Sequence, residues 1–137
     1  MYPDAVIFDF DGVIVDTEPI HYQVFQDILE PIGLGYTWEE YTSTYMGFDD
    51  RDAFREAFRT KGQIITQDRL QELINQKATL FEQVVAKGVT PYPGVVELIK
   101  ELAAHGIPLA ICSGALRSDI IPILEQLAIK LFFSHIV

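Results

Sequence analysis

An uninterrupted apolar run at residues 5–8 ends in the acidic turn Asp9-Phe10-Asp11-Gly12. A short apolar run bounded by a turn is typical of a strand that is buried on both faces, as strands of parallel sheets are. Similar runs occur at residues 109–112 and 132–137. We therefore expect a parallel sheet, and its first strand would deliver two carboxylates to the edge where ligands bind in such folds.

Residues 17–88 have helical periodicity instead, with apolar side chains recurring every three or four positions. The spacing of Thr37 and Glu40 is that of a capping box, which predicts a helix start between them. Gly47, Gly62 and Gly88 follow periodic stretches and are expected to end helices. The segment is therefore predicted to be an all-helical insertion.

The remaining residues return to an alternation of helices and strands. An amphipathic helix is predicted after Gly94, followed by the strand at 109–112, by a helix that Pro122 should distort, and by the strand-like run at 132–137. This order predicts an α/β fold in which residues 1–16 and 89–137 form a parallel-sheet core and residues 17–88 form an inserted helical domain.

Composition limits the classes of function. The 137 residues suit one domain or a small domain with an insertion. Ten basic against 20 acidic residues give a net charge of −10, which disfavours nucleic acid and anionic membranes as partners. Neither a signal peptide nor a membrane span is indicated. The single cysteine, Cys112, excludes an internal disulfide and indicates the cytoplasm, and we expect it to be a buried structural thiol.

The pair Asp9 and Asp11 suggests a catalytic or metal-binding role, because two carboxylates at positions i and i+2 after a strand can converge on one pocket. One would act as nucleophile or metal ligand and the other as proton donor. Such a pair suits phosphoryl transfer with Mg²⁺, and Ser113 with the Gly114 amide could hold phosphate oxygens at a helix entrance. The alternative is an ordinary turn signal, and the position after a buried strand favours the functional interpretation.

Residues 9–18, DFDGVIVDTE, resemble the first signature of the haloacid dehalogenase-like superfamily, in the branch of β-phosphoglucomutase and phosphoglycolate phosphatase. The strand that ends in Ser113-Gly114 is similar to the second signature. Tyr92-Pro93-Gly94 resembles the usual return from cap to core. The resemblance extends along the whole chain.

The resemblance implies a three-layer Rossmann-like core with a mobile helical cap at residues 17–88. It implies that Asp9 is the nucleophile that forms an aspartyl-phosphate, that Asp11 is the general acid and then the base, and that Ser113 binds the transferring phosphoryl group. Mg²⁺ would be held by the Asp9 carboxylate and the Asp11 backbone carbonyl. The expected substrate is a small phosphorylated metabolite.

Within the branch, a phosphatase is favoured over a mutase. β-Phosphoglucomutase has a lysine where this chain has Met46, and it has Ser-Ala-Ser where this chain has Ser113-Gly114-Ala115. A mutase remains the alternative. By resemblance, Arg51 lies near the position that contacts a distal substrate phosphate, and His21 could assist Asp11. The ordinary interpretations are a surface arginine and a solvated histidine.

Family members continue with a lysine and with acidic metal ligands after a further strand. Here Lys130 precedes the third predicted strand, and no acidic residue follows Glu125. We therefore expect the amino-terminal part of an enzyme that is inactive alone, with an exposed first strand that needs the missing half or self-association. A non-catalytic interaction module is the alternative for this polypeptide.

Overall fold

The apolar run at the amino terminus forms β1, Val6–Phe8, in a computed structural model that describes residues 1–137. It pairs in parallel with β2, Leu109–Ile111, and β2 pairs in parallel with β3, His135–Ile136. The strand order is β1-β2-β3, which places β1 at one edge of the sheet. The predicted parallel α/β fold is confirmed.

The two faces of this sheet differ. Phe8 and Ile111 lie opposite each other in the register and are buried together with Leu109. On the other face, Ile7 is 71% exposed and His135 is exposed. Burial of β1 on both faces, which we expected from its apolar sequence, is therefore wrong, because the Ile7 face has no covering layer among residues 1–137.

The third strand is shorter than predicted, because a 3₁₀ turn, Lys130–Phe132, occupies the start of the apolar run. The backbone hydrogen bonds between β2 and this segment nevertheless continue on both sides of β3. The Ser134 amide donates to the Leu109 carbonyl at 2.8 Å, and the Val137 amide donates to the Ile111 carbonyl at 2.8 Å.

Two helices accompany the sheet. Helix α5, Val95–Ala104, contacts β2 and buries Ile99 and Leu102, and helix α6, Arg117–Gln126, buries Ile120, Ile123 and Leu124. Pro122 lies inside α6 without ending it. Its missing N–H removes one helical hydrogen bond, and the buried apolar side chains around it keep the segment helical.

The insertion is helical, as its periodicity predicts. Its elements are α1, Glu18–Leu29, with a 3₁₀ turn at Glu30–Ile32; α2, Trp38–Glu40, which continues as a π-helical turn at Tyr41–Tyr45; α3, Asp50–Arg59; and α4, Gln67–Ala86. The capping box at the start of α2 is confirmed, since the Thr37 hydroxyl accepts from the Glu40 amide and the Glu40 carboxylate accepts from the Thr37 amide.

Aromatic side chains form much of the core of the insertion. Tyr36 and Tyr45 stack with ring centroids 3.9 Å apart, and Phe25 meets Phe54 edge to face at 5.2 Å. All four are buried, whereas Trp38 remains 42% exposed. Aromatic pairs of this kind add to the stabilisation that burial of their surface provides.

The chain divides into two compact units. One comprises Met1–Thr17 with Val84–Val137, and the other comprises Glu18–Gln83. The end of α4 belongs to the first unit. There the Gln126 side-chain Nε2 donates to the Val85 carbonyl at 2.6 Å, and the Gln126 Oε1 accepts from the Val89 backbone amide at 2.7 Å. None of the helices is both long enough and apolar enough to cross a membrane.

Candidate active site

Asp9 is the first residue after β1 and is exposed at the carboxyl end of the sheet. Its Oδ1 accepts a hydrogen bond from the Phe10 amide at 2.7 Å. No side chain pairs with this carboxylate, so its other oxygen is available to a ligand. That is the arrangement a carboxylate needs in order to act as a nucleophile or as a metal ligand.

A tight turn follows Asp9 and carries Asp11. The turn is anchored by Phe10 and Ile14, which are fully buried, and the Ile14 amide donates to the Phe10 carbonyl at 2.9 Å. Gly12 has a φ of 80°, a conformation that strains residues with a side chain. The turn that carries the aspartates is therefore held in place by buried side chains and a backbone hydrogen bond.

Asp11 has a different environment from Asp9. Its Oδ1 accepts from the Thr17 hydroxyl and, at 3.3 Å, from the Thr17 amide. Thr17 is 2% exposed, so its hydroxyl has almost no access to water. This residue fixes the orientation of the Asp11 carboxylate, a role that the sequence did not reveal.

Ser113 and Gly114 lie on the adjacent strand end. Phe8 and Ile111 are opposite each other, and the Cys112 amide donates to the Phe8 carbonyl at 2.9 Å, so Asp9 and Ser113 emerge from neighbouring strands at the same edge. The Ser113 hydroxyl accepts from the Ala115 amide at 3.1 Å. Helix α6 begins at Arg117, so this pair lies in the loop that leads into the helix.

Cys112 is exposed, and the expectation of a buried thiol is wrong. By strand alternation its side chain is on the same face as Ala110 and Ile7, the face that lacks a covering layer. His135 shares that face through its pairing with Ala110, and its Nδ1 is 3.2 Å from the Ser134 hydroxyl.

The chain segments that leave and re-enter this unit are joined beside the acidic turn. Val15 pairs antiparallel with Pro91, and the Tyr92 amide donates to the Ile14 carbonyl at 2.9 Å. Helix α5 starts after Gly94, which has a φ of 84°. The segment Tyr92-Pro93-Gly94 is therefore anchored directly to the turn that carries Asp11.

The oxygen atoms present fit Mg²⁺ in part. Asp9 offers a carboxylate oxygen, and the Asp11 carbonyl accepts none of the backbone hydrogen bonds of the turn. These are hard oxygen donors, and Mg²⁺ binds few protein ligands while it keeps several waters. No group of three or more histidine, cysteine, aspartate or glutamate side chains is arranged to hold a metal ion.

The helical unit contains a polar cluster of its own around the buried Lys77. The Lys77 ammonium is 2.6 Å from the Asp50 carboxylate and 2.9 Å from Nδ1 of His21, and Lys77 is only 3% exposed. The His21 ring stacks on Phe81 with centroids 4.6 Å apart. Burial and, secondarily, the Lys77 charge lower the pKa of His21 from 6.5 to about 3.

These contacts change the interpretation of the predicted cap residues. His21 is a half-buried neutral histidine and not a solvated one. Arg51 is half-buried in the first turn of α3, between Asp50 and Asp52. Lys77 was missed because one lysine in a polar helix gives no sequence signal of burial. The roles of His21 and Arg51 toward a substrate remain predictions.

The fold and this site define a parallel α/β core domain with an acidic pair in the turn after the first strand and a helical insertion that follows this turn. The family profile described as haloacid dehalogenase-like hydrolase matches residues 6–137. The chain belongs to that family, which confirms the resemblance predicted from the sequence.

Individual relatives agree with this assignment. Protein CbbY of Rhodobacter capsulatus is 29% identical over 119 residues, which are 85% of this chain and 52% of that protein. The phosphorylated carbohydrates phosphatase of Thermotoga maritima is 26% identical over 137 residues, 98% of this chain and 60% of that protein.

A solved structure shows the same fold. The crystal structure of CbbY from Rhodobacter sphaeroides in complex with phosphate has a TM-score of 0.82 at 20% identity, and the match covers 98% of this chain and 63% of that one. The chain thus spans about half to three-fifths of the length of these relatives.

Proposed function

We propose that the gene product containing this chain is a Mg²⁺-dependent phosphatase that hydrolyses a small phosphate monoester through an aspartyl-phosphate. The observation that carries the proposal is the difference between the two carboxylates that follow β1. Asp9 is exposed and has no side-chain partner, whereas Asp11 is held by Thr17. A nucleophile needs the first environment, and a positioned proton donor needs the second.

Each of the two aspartates then has a defined role in the hydrolysis. Asp9 attacks phosphorus while the bond to the ester oxygen breaks, and protonated Asp11 gives its proton to that leaving oxygen. Asp11, now ionised, takes a proton from a water molecule that attacks the phosphorus of the acyl phosphate. Inorganic phosphate leaves, and both carboxyl groups return to their starting states.

The neighbouring groups would stabilise charge. Ser113 and the Gly114 amide are at the next strand end, where they could hold oxygens of the phosphoryl group. The Asp9 carboxylate and the Asp11 carbonyl would hold Mg²⁺, which when bound offsets the negative charge of carboxylates and phosphate. The insertion at residues 17–88 would serve as the cap that closes over the substrate. Within it, Arg51 would contact a distal substrate phosphate and His21 would assist Asp11.

The names of the relatives support one substrate class. One of them is named as a phosphatase of phosphorylated carbohydrates, and we extend that class, a small phosphorylated metabolite, to this protein. The competing mutase would give the phosphoryl group to a second sugar hydroxyl instead of to water. Met46 and Ala115 differ from the residues of the mutase pattern, and this difference favours water as the acceptor of the phosphoryl group.

The test is phosphate release by the gene product from a panel of sugar and glycolate phosphates, with Mg²⁺ and with a chelator. Asp9→Asn should abolish release, and Asp4→Asn, an exposed aspartate of the same unit, is the matched control. Asp11→Asn should slow both proton transfers. Near-normal turnover by Asp9→Asn, or phosphate transfer without release, would contradict the proposal.

A further inference from the structure

Glu18 is bound by a distant aromatic residue at the point where the helical insertion begins. It is the first residue of α1, and its Oε2 accepts a hydrogen bond from the Tyr41 hydroxyl at 2.5 Å. The two residues are 23 positions apart in the sequence. A hydrogen bond to a carboxylate is among the stronger ones in proteins.

Tyr41 has little freedom to move. It is 3% exposed, and its ring stacks with Trp38 at 5.4 Å and with Tyr36 at 6.3 Å. It also begins the π-helical turn that continues the capped helix α2. Its hydroxyl is therefore a fixed donor, and its hydrogen bond restrains the position of the Glu18 side chain.

Glu18 directly follows Thr17, and Thr17 donates two hydrogen bonds to the Asp11 carboxylate. A restraint on Glu18 also limits the backbone of Thr17, because the two share a peptide bond and only a few soft dihedrals separate them. We propose that Tyr41 is a positioning residue for Asp11 and acts through Glu18 and Thr17. The catalytic consequence rests on the proposed function, whereas the structural link does not.

A purely structural role for Tyr41 would stabilise the helical unit without affecting Thr17. Tyr22→Phe separates the two roles, because Tyr22 belongs to the same aromatic group and its hydroxyl donates to the Tyr36 carbonyl at 3.0 Å. Tyr41→Phe and Tyr22→Phe each remove one hydroxyl and keep the ring. Only the first removes the donor to Glu18 at this contact.

The first measurement is amide hydrogen exchange in the gene product, resolved to residues 16–18. Tyr41→Phe should increase the exchange rate of the Thr17 amide about tenfold, and Tyr22→Phe should leave that rate unchanged. Glu18→Gln keeps an acceptor oxygen and should preserve most of the protection. Equal rates in Tyr41→Phe and the wild type would overturn the link.

The second measurement is kcat/KM for an alkyl phosphate. Tyr41→Phe should lower it about three- to tenfold. In a Thr17→Val background its effect should be smaller, because the hydroxyl bond to Asp11 is already absent and only the Thr17 amide still bonds to that carboxylate. Additive losses would overturn the positioning role. If the gene product hydrolyses no phosphate ester while Tyr41→Phe still accelerates exchange at Thr17, the proposed function fails and the structural link stands.

Discussion

Replacing Thr17 by valine removes one hydroxyl from the site and keeps the shape of the side chain. The hydroxyl donates to Asp11 Oδ1, and the amide of the same residue donates to that oxygen at 3.3 Å. Since Thr17 is 2% exposed, water cannot easily take the place of the lost donor. Asp11 would keep only the longer of its two hydrogen bonds to Thr17.

The size of the effect follows from the type of contact. A hydrogen bond to a charged group contributes about 1.5–3 kcal/mol. If that energy serves to orient Asp11 for proton transfer, its loss corresponds to about one to two orders of magnitude in rate. The free energy of unfolding should change less, because the valine methyl group is well accommodated in a buried position.

The assay compares two leaving groups. An alkyl alkoxide must be protonated as it leaves, whereas p-nitrophenolate leaves readily without a proton donor. We expect Thr17→Val to lower kcat/KM for an alkyl phosphate about ten- to hundredfold and to lower it much less for p-nitrophenyl phosphate. Thr17→Ser restores a hydroxyl and should restore most of the difference.

Equal losses on both substrates would refute this reasoning, because they would show that Thr17 supports the site in general and not the proton donor. An unchanged kcat/KM for the alkyl phosphate would refute it as well. Thermal unfolding of each variant excludes loss of the folded protein as the cause.

Three further predictions concern His21, the buried ion pair and the sheet edge. Folding lowers the pKa of His21 from 6.5 to about 3, so between these pH values the unfolded state binds a proton at His21 that the folded state does not. The contribution of His21 to the free energy of unfolding is therefore complete above pH 6.5 and declines below it. Urea unfolding should show this decline relative to His21→Gln, by up to about 1.4 kcal/mol per pH unit. Parallel pH curves for the two proteins would contradict this. Asp50→Asn leaves the buried Lys77 ammonium without the negative charge that lies 2.6 Å away and should destabilise the protein by up to about 3 kcal/mol. Part of the loss should be recovered when Lys77→Met is added, and equal stability of Asp50→Asn and the wild type would count against this prediction. Ile7, 71% exposed on an edge strand, should drive self-association of the 137-residue chain, so that Ile7→Lys lowers the sedimentation coefficient; a monomeric wild type would contradict this.

Local patterns predicted much of the fold. The apolar run before Asp9 forms a strand, and the capping-box spacing of Thr37 and Glu40 forms a capped helix start, because both signals lie within a few residues. The placement of Asp9 and Ser113 at one sheet edge also followed from sequence, since parallel strands that end in polar residues bring those residues to the same edge.

Contacts between distant residues could not be predicted in this way. Lys77 and Asp50 are 27 positions apart, and neither residue type in a helix indicates a buried pair. Exposure of Ile7 and Cys112 depends on whether another layer covers their side of the sheet, which an apolar strand sequence does not specify. The hydrogen bonds between Thr17 and Asp11 depend on the exact path of the chain after the turn.

The central claim, that Asp9 becomes phosphorylated, can be tested by trapping the intermediate. The gene product is mixed with substrate and Mg²⁺, quenched in acid during turnover, and treated with borohydride, which reduces an acyl phosphate of aspartate to homoserine. Peptide mapping should then find homoserine at position 9 in the wild type. With p-nitrophenyl phosphate, whose leaving group needs no proton donor, more of it should be found in Asp11→Asn, because only dephosphorylation is then slowed by the loss of the base. Turnover of substrate without homoserine at position 9, or with the modification at another residue, would contradict the account.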